Sequence, residues 1–130
     1  MDTGECLNAL TDCLKERHSR VMALEAGAMR RLEAGDTQGY IVDMRAKAEL
    51  LAKLDEDAKP LLAPLPGELR FKLALALDRF ASGARTALRL NSVFYMSALL
   101  YPDEHKEGMP DNLMAFIGRL EREGGNFQGD

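Results

Sequence analysis

Residues 67–101, GELRFKLALALDRFASGARTALRLNSVFYMSALLY, decide how this chain folds. Apolar side chains recur there at steps of three and four, which places most of them on one stripe of a helix. No proline interrupts the run, so we expect one long helix from Pro66-Gly67 to Tyr101-Pro102, about 50 Å in length. An apolar stripe of that length requires partner helices along most of it. The stripe consists of Leu69, Leu73, Leu77, Phe80, Ala84, Ala87, Leu88, Val93, Phe94, Ala98 and Leu99.

Two earlier segments have the periodicity needed to cover this stripe. A first helix is expected from about Glu5 to Ala34 and a second from about Thr37 to Lys59. Gly35 should end the first helix, because glycine accepts the left-handed conformation, and Asp36 should cap the second. A connection this short predicts that the two helices run antiparallel.

The chain after the second helix contains prolines at positions 60, 64 and 66, which we expect to end that helix. The apolar residues between them should pack against the end of the bundle. Beyond Tyr101 a polar loop precedes a short fourth helix that begins at Pro110-Asp111, and the tail after Glu123 is expected to be disordered.

These segments together predict an all-α fold. It is an antiparallel bundle of three main helices, the third of them long, with a short C-terminal helix. Residues 1–101 would form the three-helix bundle, and residues 102–130 a mobile loop, the short amphipathic helix and the disordered tail.

Composition agrees with helices and limits the classes of partner. Leu, Ala, Arg, Glu and Met are abundant, Trp is absent, and hydrophobic residues make up 46% of the chain. The net charge is −4 and the pI about 5.2, so no nucleic-acid partner is expected. The charge is uneven, since residues 68–101 carry five Lys or Arg against two Asp or Glu between acidic flanks. A basic central segment favours intramolecular packing or an acidic partner.

No catalytic or metal-binding signature stands out. The two histidines, His18 and His105, do not occur in a ligand pair, so we expect no metal and no cofactor. Cys6 and Cys13 lie about 10 Å apart if both are helical, which is too far for a disulfide within one chain. The chain has no membrane-spanning run, and its N-terminus lacks the pattern of a signal peptide, which predicts a cytoplasmic protein that does not insert into membranes.

One enzymatic alternative remains open, because helical bundles can bind anions with cationic side chains from several helices. Arg17, Arg31, Lys47 and Arg89 would have to converge, as cationic residues do in the all-helical chorismate mutases. Solvated surface charges paired with acidic neighbours are the simpler interpretation. We therefore predict a protein that is not an enzyme.

Two apolar regions predict a surface for a protein partner. Large side chains go more than halfway round the end of the long helix, and the C-terminal helix has an apolar face at helical spacing. That face either docks on its own bundle, which is the commoner outcome, or meets another protein. The predicted partner-binding residues are Phe94, Tyr95, Leu99, Tyr101, Leu113, Phe116, Ile117 and Leu120.

Residues 7–100 resemble the small helical flagellar export chaperones of the FlgN and FliT type. The resemblance lies in Leu32-Glu-Ala-Gly-Asp36 at the first turn, Lys47-Ala-Glu-Leu-Leu-Ala-Lys-Leu54 in the second helix and Arg85-Thr-Ala-Leu-Arg-Leu-Asn91 late in the third. It implies a chaperone that covers the apolar C-terminal helix of a hook-associated or filament-cap protein until type III secretion.

The apolar face of the C-terminal helix and the loose loop before it suggest a further hypothesis, in which this helix occupies the client groove in the free state and is displaced by the client. Two alternatives stand beside the chaperone hypothesis. One is a structural or regulatory bundle that acts as a homodimer, and the other is the small anion-binding enzyme.

Overall fold

The computed structural model describes residues 2–129, which fold into helices and contain no strand. The all-α prediction is therefore confirmed. Six α-helices are followed by a 3₁₀ turn at Gly124–Asn126. The helices are α1 (Thr3–Glu33), α2 (Thr37–Ala52), α3 (Leu54–Leu62), α4 (Gly67–Arg89), α5 (Val93–Ala98) and α6 (Asn112–Glu123).

The turn between α1 and α2 forms as the sequence predicts. Gly35 adopts a φ of 81°, and its N–H donates to the Leu32 carbonyl while that of Asp36 donates to Arg31. These two bonds satisfy the carbonyls at the end of α1 and reverse the chain. The Asp36 side chain then accepts a hydrogen bond from the Gly39 N–H at 2.8 Å and caps α2.

The predicted second helix is divided into α2 and α3 at Lys53, where the backbone has φ −102° and ψ 2°. The expectation of one helix ending at Lys59 is wrong. α3 instead continues through Pro60 to Leu62. The ring removes one intrahelical hydrogen bond, and the burial of Leu62 and Leu65 in the main core offsets that loss. The packing predicted for the proline-rich segment is confirmed by these two leucines.

The long helix ends at Arg89, which corrects the prediction that it reaches Tyr101. Asn91 takes a left-handed φ of 51°, its N–H donates to Leu88, and the Ser92 N–H donates to Ala87. This is the same hydrogen-bond pattern that ends α1, with asparagine in place of glycine. Ser92 then caps α5 by accepting from the Tyr95 N–H at 3.1 Å. α4 is thus about 35 Å long instead of 50 Å.

The C-terminal segment is packed on the rest of the chain. Asp111 caps α6, and the apolar face of that helix joins the main core formed by α1, α3 and α4. Phe127 is also buried there, with its ring 5.5 Å from that of Phe116. The predicted disordered tail therefore does not extend over the whole stretch after Glu123. Asp130, also in that prediction, lies outside the described residues.

A second, smaller core cluster lies where α1, α2, α4 and α5 meet. Met96 of α5 is fully buried there, and the turn at Asn91 makes this possible because it directs α5 back towards α2. The other buried members are Ala28, Met44, Ala48 and Ala87.

Candidate functional site

The eight predicted partner-binding residues do not form one surface. The four on α6, Leu113, Phe116, Ile117 and Leu120, are all buried in the main core. By contrast, Phe94 is 74% exposed and Tyr95 is 52% exposed on α5. Leu99 and Tyr101 lie between these extremes and are half-buried. The structure therefore separates an inward-facing set from an outward-facing set.

The apolar face of α6 contacts its own bundle. The Phe116 ring lies edge-on to that of Phe80 on α4, with 5.8 Å between the centroids. Full burial of a large apolar side chain contributes roughly 1.5–3 kcal/mol, so the four α6 residues account for on the order of 10 kcal/mol. That is as large as the net stability of many domains. Displacing α6 by a client would therefore be costly, which argues against the self-occlusion hypothesis.

The outward-facing set forms an apolar surface that we call the α5 patch, defined as Leu90, Phe94 and Tyr95. All three side chains are more than half exposed, and the two aromatic rings lie 5.8 Å apart with an interplanar angle of 59°. Contiguous exposed apolar surface often marks a site where a protein binds another molecule. The α5 patch is therefore the candidate binding surface.

A groove of about 430 Å³ adjoins the patch between α4 and α5. Its walls are small or apolar, and Gly83 at its edge leaves open space, since a Cβ there would come no closer than 3.9 Å to Leu99. The groove can accept an apolar side chain from a partner that lies on the patch. The lining residues are Ser82, Gly83, Thr86, Ala87, Tyr95, Ala98 and Leu99.

A buried polar network lies behind α5. Lys47 is 0% exposed, and its Nζ lies 2.9 Å from Glu25 Oε2 and donates to the Ser97 carbonyl at 3.0 Å. The Tyr101 hydroxyl donates to Glu25 Oε1 at 2.5 Å, and its ring centroid is 5.1 Å from Lys47 Nζ. The network thus connects α1 and α2 to the last turn of α5 and to Tyr101 in the loop that follows it.

Burial controls the proton affinities in this network. Desolvation lowers the pKa of Lys47, although the neighbouring Glu25 carboxylate acts in the opposite direction. Desolvation, followed by the hydrogen bond to Glu25, raises the pKa of Tyr101 above its usual range. Sequence reasoning named Lys47 and Tyr101 without pairing them. Lys47 lies three residues after Met44 and four before Leu51, in the buried stripe of its helix, and that position was the available signal.

A second polar contact fixes the start of α6. Asp111 Oδ2 lies 2.7 Å from His18 Nε2 on α1, while Oδ1 accepts the Met114 N–H at 2.9 Å. The Asn112 N–H donates to the Leu100 carbonyl at 2.9 Å. One carboxylate therefore both caps α6 and connects it to α1.

The four cationic residues of the enzymatic alternative do not converge. Arg17 pairs with Asp57 at 3.1 Å, and Arg31 pairs with Asp43 at 3.0 Å. These arginines are fourteen residues apart on α1, which corresponds to roughly 21 Å along the helix. Lys47 is buried against Glu25. The arrangement resembles ordinary ion pairing and offers no common anion site.

Residues 2–129 contain no group of three or more His, Cys, Asp or Glu side chains that could hold a metal ion. None of the helices described there is long and apolar enough to span a membrane. Cys6 and Cys13 are free thiols, and burial raises the pKa of the Cys13 thiol.

No protein-family model matches this chain, and no curated protein or solved structure is significantly similar to it.

Proposed function

We propose that this is a cytoplasmic, non-enzymatic binding protein that holds a helical segment of another protein on the α5 patch and its groove. The observation that carries the proposal is the exposed Phe94 and Tyr95 pair beside an open apolar groove. A helix with apolar residues at steps of three and four would place one side chain in the groove and others on the two rings.

The scaffold for this surface is an antiparallel bundle of three main helical layers. The order of the side-chain contacts along the helices supports this arrangement. Arg17 meets Asp57 whereas Arg31 meets Asp43, so positions rise along α1 as they fall along α2 and α3. Likewise Asp55 pairs with Arg85 at 2.7 Å, and Arg45 contacts Asn91, which is the same opposite order between α2–α3 and α4.

Within this class of function we place the protein with the export chaperones that its sequence resembles. The client would be the apolar C-terminal helix of a flagellar hook-associated or cap protein. Covering that helix prevents its self-association and needs neither cofactor nor catalytic residue. We assign the client to the α5 patch and not to the surface beneath α6, since α6 is held by its buried face and by the contact between Asp111 and His18.

The same exposed patch also supports the second candidate, a regulatory bundle that acts as a homodimer. Two copies could bury their aromatic pairs against each other across a two-fold axis. In that case Phe94 and Tyr95 would be covered without any client.

The test is affinity capture of the tagged full chain from its own cell lysate, with mass spectrometry of the bound proteins. The variant Phe94→Ser/Tyr95→Ser removes the aromatic pair of the patch, and Val42→Ser is the matched control because Val42 is an exposed apolar residue of α2. We expect a stoichiometric flagellar hook-junction or cap protein that is retained by the control and lost by the patch variant. Recovery of the protein alone, at the mass of a dimer that the patch variant abolishes, would support the homodimer and overturn the chaperone.

A further inference from the structure

The outer face of α4 is uncovered along almost the whole helix. α4 packs against α2, α3 and α5 on its other sides, yet Phe71 is 67% exposed, and Leu75 and Leu90 are exposed as well. Together with Ser82 and Thr86 these residues recur at steps of four and seven, which puts them on one helical face. We call these five residues the outer stripe. It spans about 28 Å at 1.5 Å per residue and runs into the α5 patch.

The shape of the outer stripe suits a helix lying along α4. Large apolar side chains occupy both of its ends, whereas Ser82 and Thr86 are small and lie beside the groove between α4 and α5. A second groove, of about 470 Å³, flanks the stripe on the α6 side, where Ala76 and Ala115 form part of its walls. Packed helices lie 8–10 Å apart between their axes, depending on the side chains at the contact, so a partner helix can come closest at Ser82 and Thr86 and contact the large side chains at either end.

The charge around this surface is positive on balance. Residues 68–101 contain five Lys or Arg against two acidic residues, Glu68 and Asp78, although the whole chain has a net charge of −4. Glu68 lies 3.2 Å from Lys72 and Asp78 lies 4.0 Å from Arg85, so each acidic side chain has a basic neighbour. Arg85 is turned towards α3, where it pairs with Asp55. Arg89 is exposed in the last turn of α4, one residue before Leu90 of the α5 patch. A cation at the edge of an apolar surface attracts partners of opposite charge and fixes their register.

We propose that the occupant of the outer stripe and α5 patch is an acidic amphipathic helix of another protein, about five turns long. Its apolar side chains lie along Phe71, Leu75 and the α5 patch, and an Asp or Glu at its edge meets Arg89. This inference rests on the proposed function, because it specifies the chemistry of the helical segment that the protein holds.

Three other occupants fit the surface less well. A second copy related by a two-fold axis would bring one basic segment against another, which costs binding energy. The acidic segment at residues 102–129 cannot supply the helix either, since α6 has its apolar face buried in its own core. A bilayer surface cannot fill the two grooves beside α4 as the side chains of a helix can.

The experiment is a selection from displayed helical peptides about 20 residues long, the length that matches the stripe. The library has apolar residues at steps of three and four and random residues elsewhere. The full-length protein is the bait, and the Phe94→Ser/Tyr95→Ser variant is used for counter-selection. We expect enriched peptides with a clear excess of Asp and Glu over Lys and Arg.

The affinity of one enriched peptide is then measured by fluorescence anisotropy. Arg89→Glu should weaken it about tenfold at low salt and less at high salt, as expected for an edge ion pair. Arg30→Glu is the matched control, because Arg30 is an exposed arginine in the last turn of α1, and it should change the affinity less than about twofold. Phe71→Ser should weaken binding about fivefold if the helix reaches the far end of the stripe.

The outcomes separate the two proposals. If the enriched peptides need the α5 patch but are neutral or basic, the proposal of an acidic partner is wrong. The proposal that the protein binds a helix would still hold. No enrichment over the counter-selection would overturn both. Two further measurements test the other occupants. Patch-dependent binding to vesicles of phosphatidylcholine and phosphatidylserine would replace the helix with a membrane, and a patch-dependent dimer in sedimentation would replace it with a second copy.

Discussion

Phe116 and Phe94 both lie on short helices in the last third of the chain, but their surroundings are opposite. Phe116 is 6% exposed and contacts the rings of Phe80 and Phe127, whereas Phe94 projects into water beside Tyr95. The difference comes from how apolar residues are distributed around each helix. α6 has one apolar face, which its own bundle covers, whereas α5 is apolar nearly all round and can bury only the side that carries Met96.

The comparison shows which apolar surface is available to a partner. The apolar face of α6 is buried in the folded chain, and the contact between Asp111 and His18 holds the helix further. α5 is held from behind, by Met96 and by the hydrogen bond from Lys47 to the Ser97 carbonyl, so that its aromatic pair stays outside. A stable scaffold therefore presents a fixed apolar surface, as a pre-organised binding site requires.

The largest expected effect tests the comparison directly. Phe116→Ala should lower the free energy of unfolding by about 3–5 kcal/mol, because it leaves a cavity between the rings of Phe80 and Phe127. Phe94→Ala is the matched variant on α5 and should change it by less than about 0.5 kcal/mol. Urea denaturation followed by circular dichroism measures both. Equal losses of stability in the two variants would show that both rings lie in similar environments.

The next effect concerns the network that holds α5 from behind. Glu25→Ala should lower the free energy of unfolding by about 3 kcal/mol, since it leaves Lys47 buried without its counter-charge. Glu33→Ala removes an exposed carboxylate from the same helix and should have little effect.

A double variant tests whether the stability lost in Glu25→Ala comes from the unpaired charge of Lys47. Adding Lys47→Met to Glu25→Ala should recover part of the lost stability, because the orphaned charge is then gone. If the double variant is no more stable than Glu25→Ala alone, the cost is lost packing and not an unpaired charge. Both measurements use the same denaturation assay.

Local features were predictable from the sequence, and long-range contacts were not. Gly35-Asp36 was identified because a glycine stop and an aspartate cap each act on their own turn. Asn91-Ser92 has a similar stop and cap, but the apolar periodicity continues through these residues and therefore predicted one uninterrupted helix. Periodicity alone could not show that α6 buries its apolar face in its own bundle, or that Phe127 is buried. Both depend on contacts with residues far away in sequence.

The turn at Asn91 gives a smaller effect, and it tests why α5 points outward at all. Asn91→Ala should lower the free energy of unfolding by about 1 kcal/mol, since alanine resists the left-handed conformation that asparagine tolerates. Asn91→Gly is the control, because it loses the same side-chain contact with Arg45 but adopts that conformation freely. We expect Asn91→Gly to be more stable than Asn91→Ala in thermal unfolding. The opposite order would indicate that the side chain, and not the backbone, maintains the turn.

The smallest effect is a change with pH at Tyr101, behind the α5 patch. Its pKa is raised in the folded chain, so the unfolded chain loses the phenolic proton first as the pH rises through about 10. The stabilisation from Tyr101 is therefore fully present below that pH and is lost above it. The stability advantage of the native chain over Tyr101→Phe should shrink as the pH increases from 9 to about 11. Lys47 titrates in both proteins, with a lowered pKa that acts in the opposite direction, so the difference between them isolates the tyrosine. A constant difference across that range would mean that Tyr101 ionises as easily in the folded chain as in the unfolded one, and that the polar network does not shield the inner side of α5 from water.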